Sequence, residues 1–315
     1  MSQKRTRRQF IGAAGTATVL MLAGCSGDDG GGTTTETEGM GNETMGDGDM
    51  TPGDMTPGET TEEGSMEEGS MEEGDMEESG MSGPTTFTVR IENVAPTDFY
   101  GSDSSTGGQI WITPGAWAVH EGQNPIYTEG EAASIGLEAL AEAGPPTGFE
   151  GEPGLVEELE GMMGEMSVAA AGAYTPENTV ADPNDPMDEV PGAPPIAPGG
   201  AFEFDVEAEM GQRLSFASMF VPSNDLFFSP GTEGIPLWND NGEPVSGDVT
   251  GMVGLYDAGT EPNGQPGYGP DQAPAQDSPT QGGDEGGVVR PLSEVTDGYD
   301  YPDVSNAISV TLTPQ

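Results

Sequence analysis

From Thr85 onward the chain sets apolar and polar residues in short alternating runs. Phe87, Val89 and Ile91 in the run from Phe87 to Val94 occupy every second position, as do Phe202, Phe204, Val206 and Ala208 in the run from Ala201. That is the period of a strand with one buried face. Ile110-Trp-Ile112, Ala116-Trp-Ala-Val119, Arg213 to Val221, Met252 to Tyr256 and Ile308 to Leu312 supply further short strands, the last closing the sheet. Arg213–Val221 follows Ala201–Ala208 so closely that the two are expected to pair antiparallel. Trp238-Asn-Asp-Asn241-Gly242 carries an Asn-Gly turn. A helical pattern takes over from Glu131 to Ala143, with Gly144 as its stop and Pro145-Pro146 beyond, and again, more weakly, from Leu155 to Met166. Many short strands with Gly- and Pro-rich connections predict an all-β fold, an antiparallel β-sandwich of about eight strands with a short helical insertion.

The first 84 residues follow neither period. Thr6-Arg7-Arg8-Gln9-Phe10-Ile11 is a twin-arginine export pattern, and the apolar run from Ile11 to Ala23 is shorter than the about 20 residues that a membrane-spanning helix needs. Leu22-Ala23-Gly24-Cys25 has the form of a lipobox. Residues 1–24 therefore read as a signal peptide, with Cys25 lipidated and the mature chain held on the outer face of the cytoplasmic membrane. Residues 25–84 mix methionine with Gly, Ser, Thr and acids, and predict a disordered linker without a core. Met40, Met45, Met50 and Met55 are spaced by five, as are Met66, Met71, Met76 and Met81. Thioethers in series suit Cu(I), but a period of five forms no stripe on a helix or strand, so a solvated tether is the stronger reading. Asn42-Glu-Thr44 matches a glycosylation sequon. The folded domain is expected over residues 85–315.

Charge changes the picture of partners. Beyond the leader only Arg90, Arg213 and Arg290 face 56 acidic residues, and there is no lysine. Such a chain repels itself in dilute buffer. At about 1 M salt the Debye length falls to about 3 Å, the repulsion is screened and the carboxylate surface keeps the protein soluble. This composition predicts a halophilic protein and disfavours nucleic acid and anionic membrane surfaces as partners. With Cys25 the only cysteine and His120 the only histidine, a disulfide within the chain, a thiolate cluster and a histidine-rich zinc or copper site are excluded by count.

The candidate chemistry is carboxylate chemistry. Asp225 follows the apolar run Leu214–Val221 through Pro222-Ser-Asn, and Asp257 and Glu261 flank Ala258-Gly259-Thr260 after the run Met252–Tyr256. Glycine permits a tight turn that brings two carboxylates round one ion, and acids converging at the end of a sandwich make the hard oxygen site that Ca²⁺ prefers. The bland alternative is a set of solvated loop acids, the default in so acidic a chain. Asp182, Asn184, Asp185, Asp188 and Glu189 form a second oxygen-rich stretch without EF-hand spacing. Gly282-Gly283 and Gly286-Gly287 around Asp284-Glu285 read as a flexible turn, since the acids would repel a phosphate. His120 has no G-x-S-x-G elbow to serve and reads as a packed or surface side chain. Trp111, Trp117 and Trp238 could line a sugar surface, but buried sandwich tryptophans are the simpler expectation.

These residues also carry a resemblance. Ala201–Val221 leading into Pro222-Ser-Asn-Asp225, then Asp257-Ala-Gly-Thr-Glu261 and Val289-Arg-Pro-Leu292, resembles the spondin N-terminal domain of F-spondin and mindin. Trp117-Ala-Val-His120, Asn124-Pro-Ile-Tyr127 and the Gly130–Gly144 helix look like the prokaryotic, haloarchaeal-type branch of that family. The resemblance implies an eight-stranded sandwich with Ca²⁺ held by Asp225, Asp257 and Glu261, the glutamate standing where the animal domains carry aspartate. It implies a Ca²⁺-binding adhesion or recognition module rather than an enzyme, with a cell-surface protein or glycan as ligand. Two alternatives remain: a carbohydrate-active hydrolase using paired carboxylates, and a metal-free structural envelope protein.

Overall fold

The computed structural model describes residues 83–148, 151–164, 167–184 and 195–315. The signal peptide, the lipobox cysteine Cys25, the methionine repeats and the Asn42 sequon lie outside the described residues, as do Asp185, Asp188 and Glu189.

Two antiparallel sheets face each other. The first contains β1 (Thr85–Asn93), β4 (Thr179–Ala181), β5 (Ala201–Ala208), β9 (Gly247–Asp248) and β12 (Ile308–Pro314), in the order β4-β5-β1-β12-β9. The second runs β11-β10-β7-β6-β2-β3, made of β2 (Trp111–His120), β3 (Val168–Tyr174), β6 (Arg213–Val221), β7 (Leu226–Pro230), β10 (Val253–Asp257) and β11 (Arg290–Pro291). A two-residue strand, β8 (Ile235–Pro236), also pairs with β6. The all-β class is as expected, although the described residues hold more strand segments than eight because several are only two residues long.

Alternation in β1 does what its period requires: Phe87, Val89 and Ile91 are buried while Thr88, Arg90 and Glu92 are half-exposed. They meet Phe202, Phe204 and Val206 of β5 and Val310 and Leu312 of β12 in one core with Ile112, Leu214, Phe216, Phe220 and Phe228 from the second sheet. Trp117 stacks on Phe204 at 6.1 Å and Trp238 meets Phe87 edge-on at 5.2 Å, so both pack on the core, and Trp111 is buried.

The second sheet is covered on its other face as well. Helices α1 (Ile135–Ala143) and α2 (Leu155–Gly161) lay Leu137, Leu140, Leu155 and Leu159 over Ala116, Ala118, Ala217 and Phe227. The small alanines let the helices approach the sheet closely, and burial on both faces explains why β6 is buried from Leu214 to Val221 without alternation. Helix α1 starts later than its pattern predicts, because Ser134 caps it by accepting from the Leu137 N–H, and it stops at the left-handed Gly144 as foreseen. The second helix ends at Gly161, short of Met166.

Two expectations about strands are corrected. β5 and β6 are not neighbours: β5 pairs with β1 and β4, and β6 with β2, β7 and β8. The short Glu209–Gln212 link passes from one sheet to the other, so Phe204 and Phe216 belong to opposite walls of one core. The runs Ile110–Ile112 and Ala116–Val119 are parts of one strand, β2, whose register shifts between Ile112 and Gly115. The Asn-Gly turn forms as predicted, with Gly242 at φ +75° and Asn239 and Glu243 closing it.

β3 ends the second sheet: its strand partner is β2, with a bulge in the ladder beside His120, and Val168 at its start also bridges Met163 in parallel. It is an edge of seven residues, Val-Ala-Ala-Ala-Gly-Ala-Tyr, with no charge and no proline. Among the described residues no helix is long and apolar enough to cross a membrane.

Candidate functional site

Asp225 and Asp257, far apart in sequence, are brought together by strand pairing. β7 begins immediately after Asp225 and runs antiparallel to β10, so that Leu226 lies opposite Asp257. The Ala258 N–H then donates to the Asp225 carbonyl at 3.2 Å, extending the ladder one step past the strand. The Pro222–Asp225 loop is closed by Ser223, whose hydroxyl donates to the Phe220 carbonyl at 2.6 Å and accepts from the Leu226 N–H at 3.1 Å.

The run from Asp257 to Glu261 folds round Asp225. Asp225 Oδ2 accepts from the Thr260 N–H at 2.8 Å, the Glu261 N–H at 3.1 Å and the Thr260 hydroxyl at 3.2 Å. Gly259 makes this possible with φ +70°, and a Cβ there would stand 2.5 Å from the Val288 nitrogen. The glycine reading of this run therefore holds for the turn, and the close approach to Val288 is a second requirement that the sequence did not show.

All three predicted carboxylates are buried, with relative exposures of 0% for Asp225 and Asp257 and 2% for Glu261. None is a solvated loop acid. Asp257 Oδ1 accepts from the Gly259 N–H at 2.7 Å, while Oδ2 receives Asn263 Nδ2 at 2.6 Å and Arg290 Nη2 at 3.2 Å. Glu261 Oε1 accepts from the Gly282 N–H at 2.8 Å and Oε2 from Asn224 Nδ2 at 3.2 Å. Asp225 differs: its Oδ1 is buried and receives no donor. Burial, reinforced by the charge of Asp257, pushes the Asp225 carboxyl up to about 7 against the pull of the Thr260 and Glu261 donors. Burial also raises Glu261 above the usual carboxylate range.

The segment expected as a flexible turn, Gly282 to Gly287, is hydrogen-bonded over these acids. The Glu285 N–H donates to the Thr260 carbonyl and the Gly287 N–H to the Gly259 carbonyl, each at 2.8 Å. Behind it, β11 places Arg290 opposite Asp257, where its guanidinium also reaches Glu285 at 3.1 Å.

Four residues were not singled out from the sequence. Arg290 is the counter-ion of Asp257, and its signal was available, since it is one of three bases in the folded part. Asn224 ties the two loops by donating to Glu261 while accepting from Gly264 N–H at 2.9 Å and Gln272 Nε2 at 3.0 Å. Glu142, near the end of α1, is 2% exposed, and its Oε2 has no partner. Burial, then the charge of Glu261, pushes its carboxyl up to about 8. Gln276 donates from Nε2 to the Glu142 carbonyl at 3.1 Å and leaves its own buried Oε1 without a donor.

The oxygen-rich stretch near Asp182 serves the fold where it is described: Asp182 Oδ1 accepts from the Ala197 N–H at 3.2 Å and Asn184 Nδ2 donates to the Pro198 carbonyl at 2.8 Å. His120 is fully buried, its Nε2 2.9 Å from the Ser215 hydroxyl, and burial lowers its pKa to about 4.

Among the described residues no group of three or more His, Cys, Asp and Glu side chains is disposed to hold a metal ion. Hydrogen bonds already engage both oxygens of Asp257 and of Glu261. A carboxylate oxygen keeps a second lone pair when one is taken, so these acids retain acceptor capacity, and Asp225 Oδ1 offers all of its own. The donor set is all oxygen and suits a hard divalent cation. No protein-family model and no curated protein matches the chain.

Proposed function

We propose that the chain is an exported, lipid-anchored recognition or adhesion module of the spondin type, whose ligand-facing loops are ordered by Ca²⁺. The observation that carries this reading is Asp225, a fully buried carboxylate beside Asp257 with one oxygen bound by three donors and the other bound by none. A buried charge in that condition is costly unless a cation or a proton meets it. Asp225, Asp257 and Glu261 would hold the ion, which would add to the one positive charge, that of Arg290 on Asp257, set against three acids. What the chain itself provides is position: Thr260 and Asn224 fasten the β6–β7 loop to the run after β10, so the acids arrive as a unit. No side chain has a reaction to perform in this reading, and the exposed surface over the site is the ligand's. An unidentified cell-surface protein or glycan is the ligand this proposal requires.

The test is a thermal melt of the chain in concentrated KCl with CaCl₂ or with chelator, for wild type and Asp225→Asn. Extracellular Ca²⁺ modules bind at roughly 10⁻⁴ to 10⁻³ M. At ten times the dissociation constant the gain is about 1.4 kcal/mol, a rise of a few degrees. The rise should vanish in the variant. A wild type indifferent to Ca²⁺ retires the reading in favour of a metal-free envelope protein, and glycoside turnover abolished in the variant would favour the hydrolase.

A further inference from the structure

Three buried oxygens without a donor belong to residues close to one another: Asp225 Oδ1, Glu142 Oε2 and Gln276 Oε1. Their neighbourhood is fixed by shared contacts. The Thr260 hydroxyl, with one hydrogen to give, stands 3.2 Å from Asp225 Oδ2 and lies beside the Glu142 side chain as well, so the two carboxyls share a single donor. Gln276 is bonded to the Glu142 carbonyl. Glu142 feels the charges of both Asp225 and Glu261. Nothing cationic offsets it, because Arg290, the one base at the site, is committed to Asp257 and Glu285. The acids facing this point come from every element round it: Glu138 on α1, Asp225 before β7, and Glu261 after β10.

A helix has easy ways to avoid such a position. Glu142 could have turned its charge to water, as long side chains do, yet it is 2% exposed. Two neighbouring buried carboxyls, each with one oxygen that meets no donor, make a poor interior and a good seat for a positive charge.

We propose that Glu142 is a ligand of the same divalent cation, so that the ion joins helix α1 to the loops at Asp225 and Asp257 instead of linking the two loops alone. This rests on the Ca²⁺ reading above and adds a residue from the helical insertion to it. The cation then has a structural consequence beyond the loops, since it pins the insertion that covers the second sheet. Gln276 stands as a neutral oxygen donor beside Glu142. An uncharged amide and two or more carboxylates form a mixed oxygen set of the kind Ca²⁺ accepts readily and Mg²⁺, with its stricter octahedron, does not.

The experiment uses the full chain in molar KCl, where general charge screening is already complete, and titrates CaCl₂ with MgCl₂ as control. Wild type, Glu142→Gln and Asp257→Asn are compared by melting temperature and by calorimetric Ca²⁺ affinity. Glu142→Gln is close to isosteric, and its amide can donate to the unpaired oxygen of Asp225. It should therefore melt higher than wild type in chelator and bind Ca²⁺ roughly ten- to hundredfold more weakly. A residue with a merely structural role would not give that opposite pair of effects. Ca²⁺ affinity unchanged in Glu142→Gln but lost in Asp257→Asn overturns this inference and leaves the Ca²⁺ module standing. A wild type that binds no Ca²⁺ overturns both, and a higher melt of Glu142→Gln in that case assigns the site to a shared proton. Should Glu142→Gln not fold, Glu142→Asp retracts the same charge by one methylene, and wild-type affinity in that variant equally overturns the proposal.

Discussion

His120 shows how far a single residue's chemistry is set by its surroundings. Its ring is fully buried, bonded to Ser215 and held at a pKa of about 4 by burial. An unfolded histidine takes up its proton near 6.5, so the contribution of the neutral ring is complete above that pH and is lost as pH falls from about 6.5 to about 4. The loss is on the order of 3 kcal/mol. Buried carboxylates such as Asp225 and Glu142 act in the opposite sense, so the measurement is a difference. Wild type should lose more stability than His120→Gln between pH 7 and pH 4.5, and parallel curves would remove the titration from His120. Arg290→Gln is a second test at this scale. It leaves the buried Asp257 without its counter-ion and should cost roughly 2 kcal/mol in denaturant unfolding with chelator present. Asp225, Asp257 and the Gly259 turn were legible in sequence because an acid just past an apolar run marks a strand end. Glu142 was not, since one glutamate on a helix in a chain of 56 acids carries no mark. Its meaning comes from partners more than eighty residues downstream.

Among elements, α1 is the one that both covers the sheet and reaches the site. Its start is fixed by Ser134, which caps the Leu137 N–H and donates to Glu158 of α2, while Glu158 also accepts from the Gly136 N–H at 2.8 Å. Ser134→Ala should destabilise the chain by about 1 kcal/mol, read as a lower melting temperature. Gly136 has the backbone of Gly154 and Leu155 against its Cα, so Gly136→Ala must push the two helices apart and should cost more. Strict alternation made β1 and β5 legible. β3 was not foreseen because a run of alanine with one glycine has no period. Strand pairing was misjudged where the chain changes sheet, because a short link between two strands reads the same whether it makes a hairpin or crosses the core.

For the whole molecule, charge decides the working conditions. Seven bases against 56 acids, a formal net charge of −49, should make melting temperature rise steadily from dilute buffer into molar KCl, more than the small change expected of a neutral domain. A flat salt series would show that the acids are spaced widely enough not to need screening. The same charge bears on the bare edge at β3. Sheets usually guard such an edge locally, with a lysine, a proline or a bulge that spoils docking of a second sheet. β3 has neither lysine nor proline along its seven positions, only the bulge where its register with β2 shifts, and in dilute buffer the repulsion between two polyanions adds to that guard. The repulsion is collective and can be switched off all at once. Acidify a concentrated protein solution of low salt until the carboxylates are neutral, and neighbouring molecules become free to join edge to edge, while a single lysine at the exposed position, Ala169→Lys, should keep them apart.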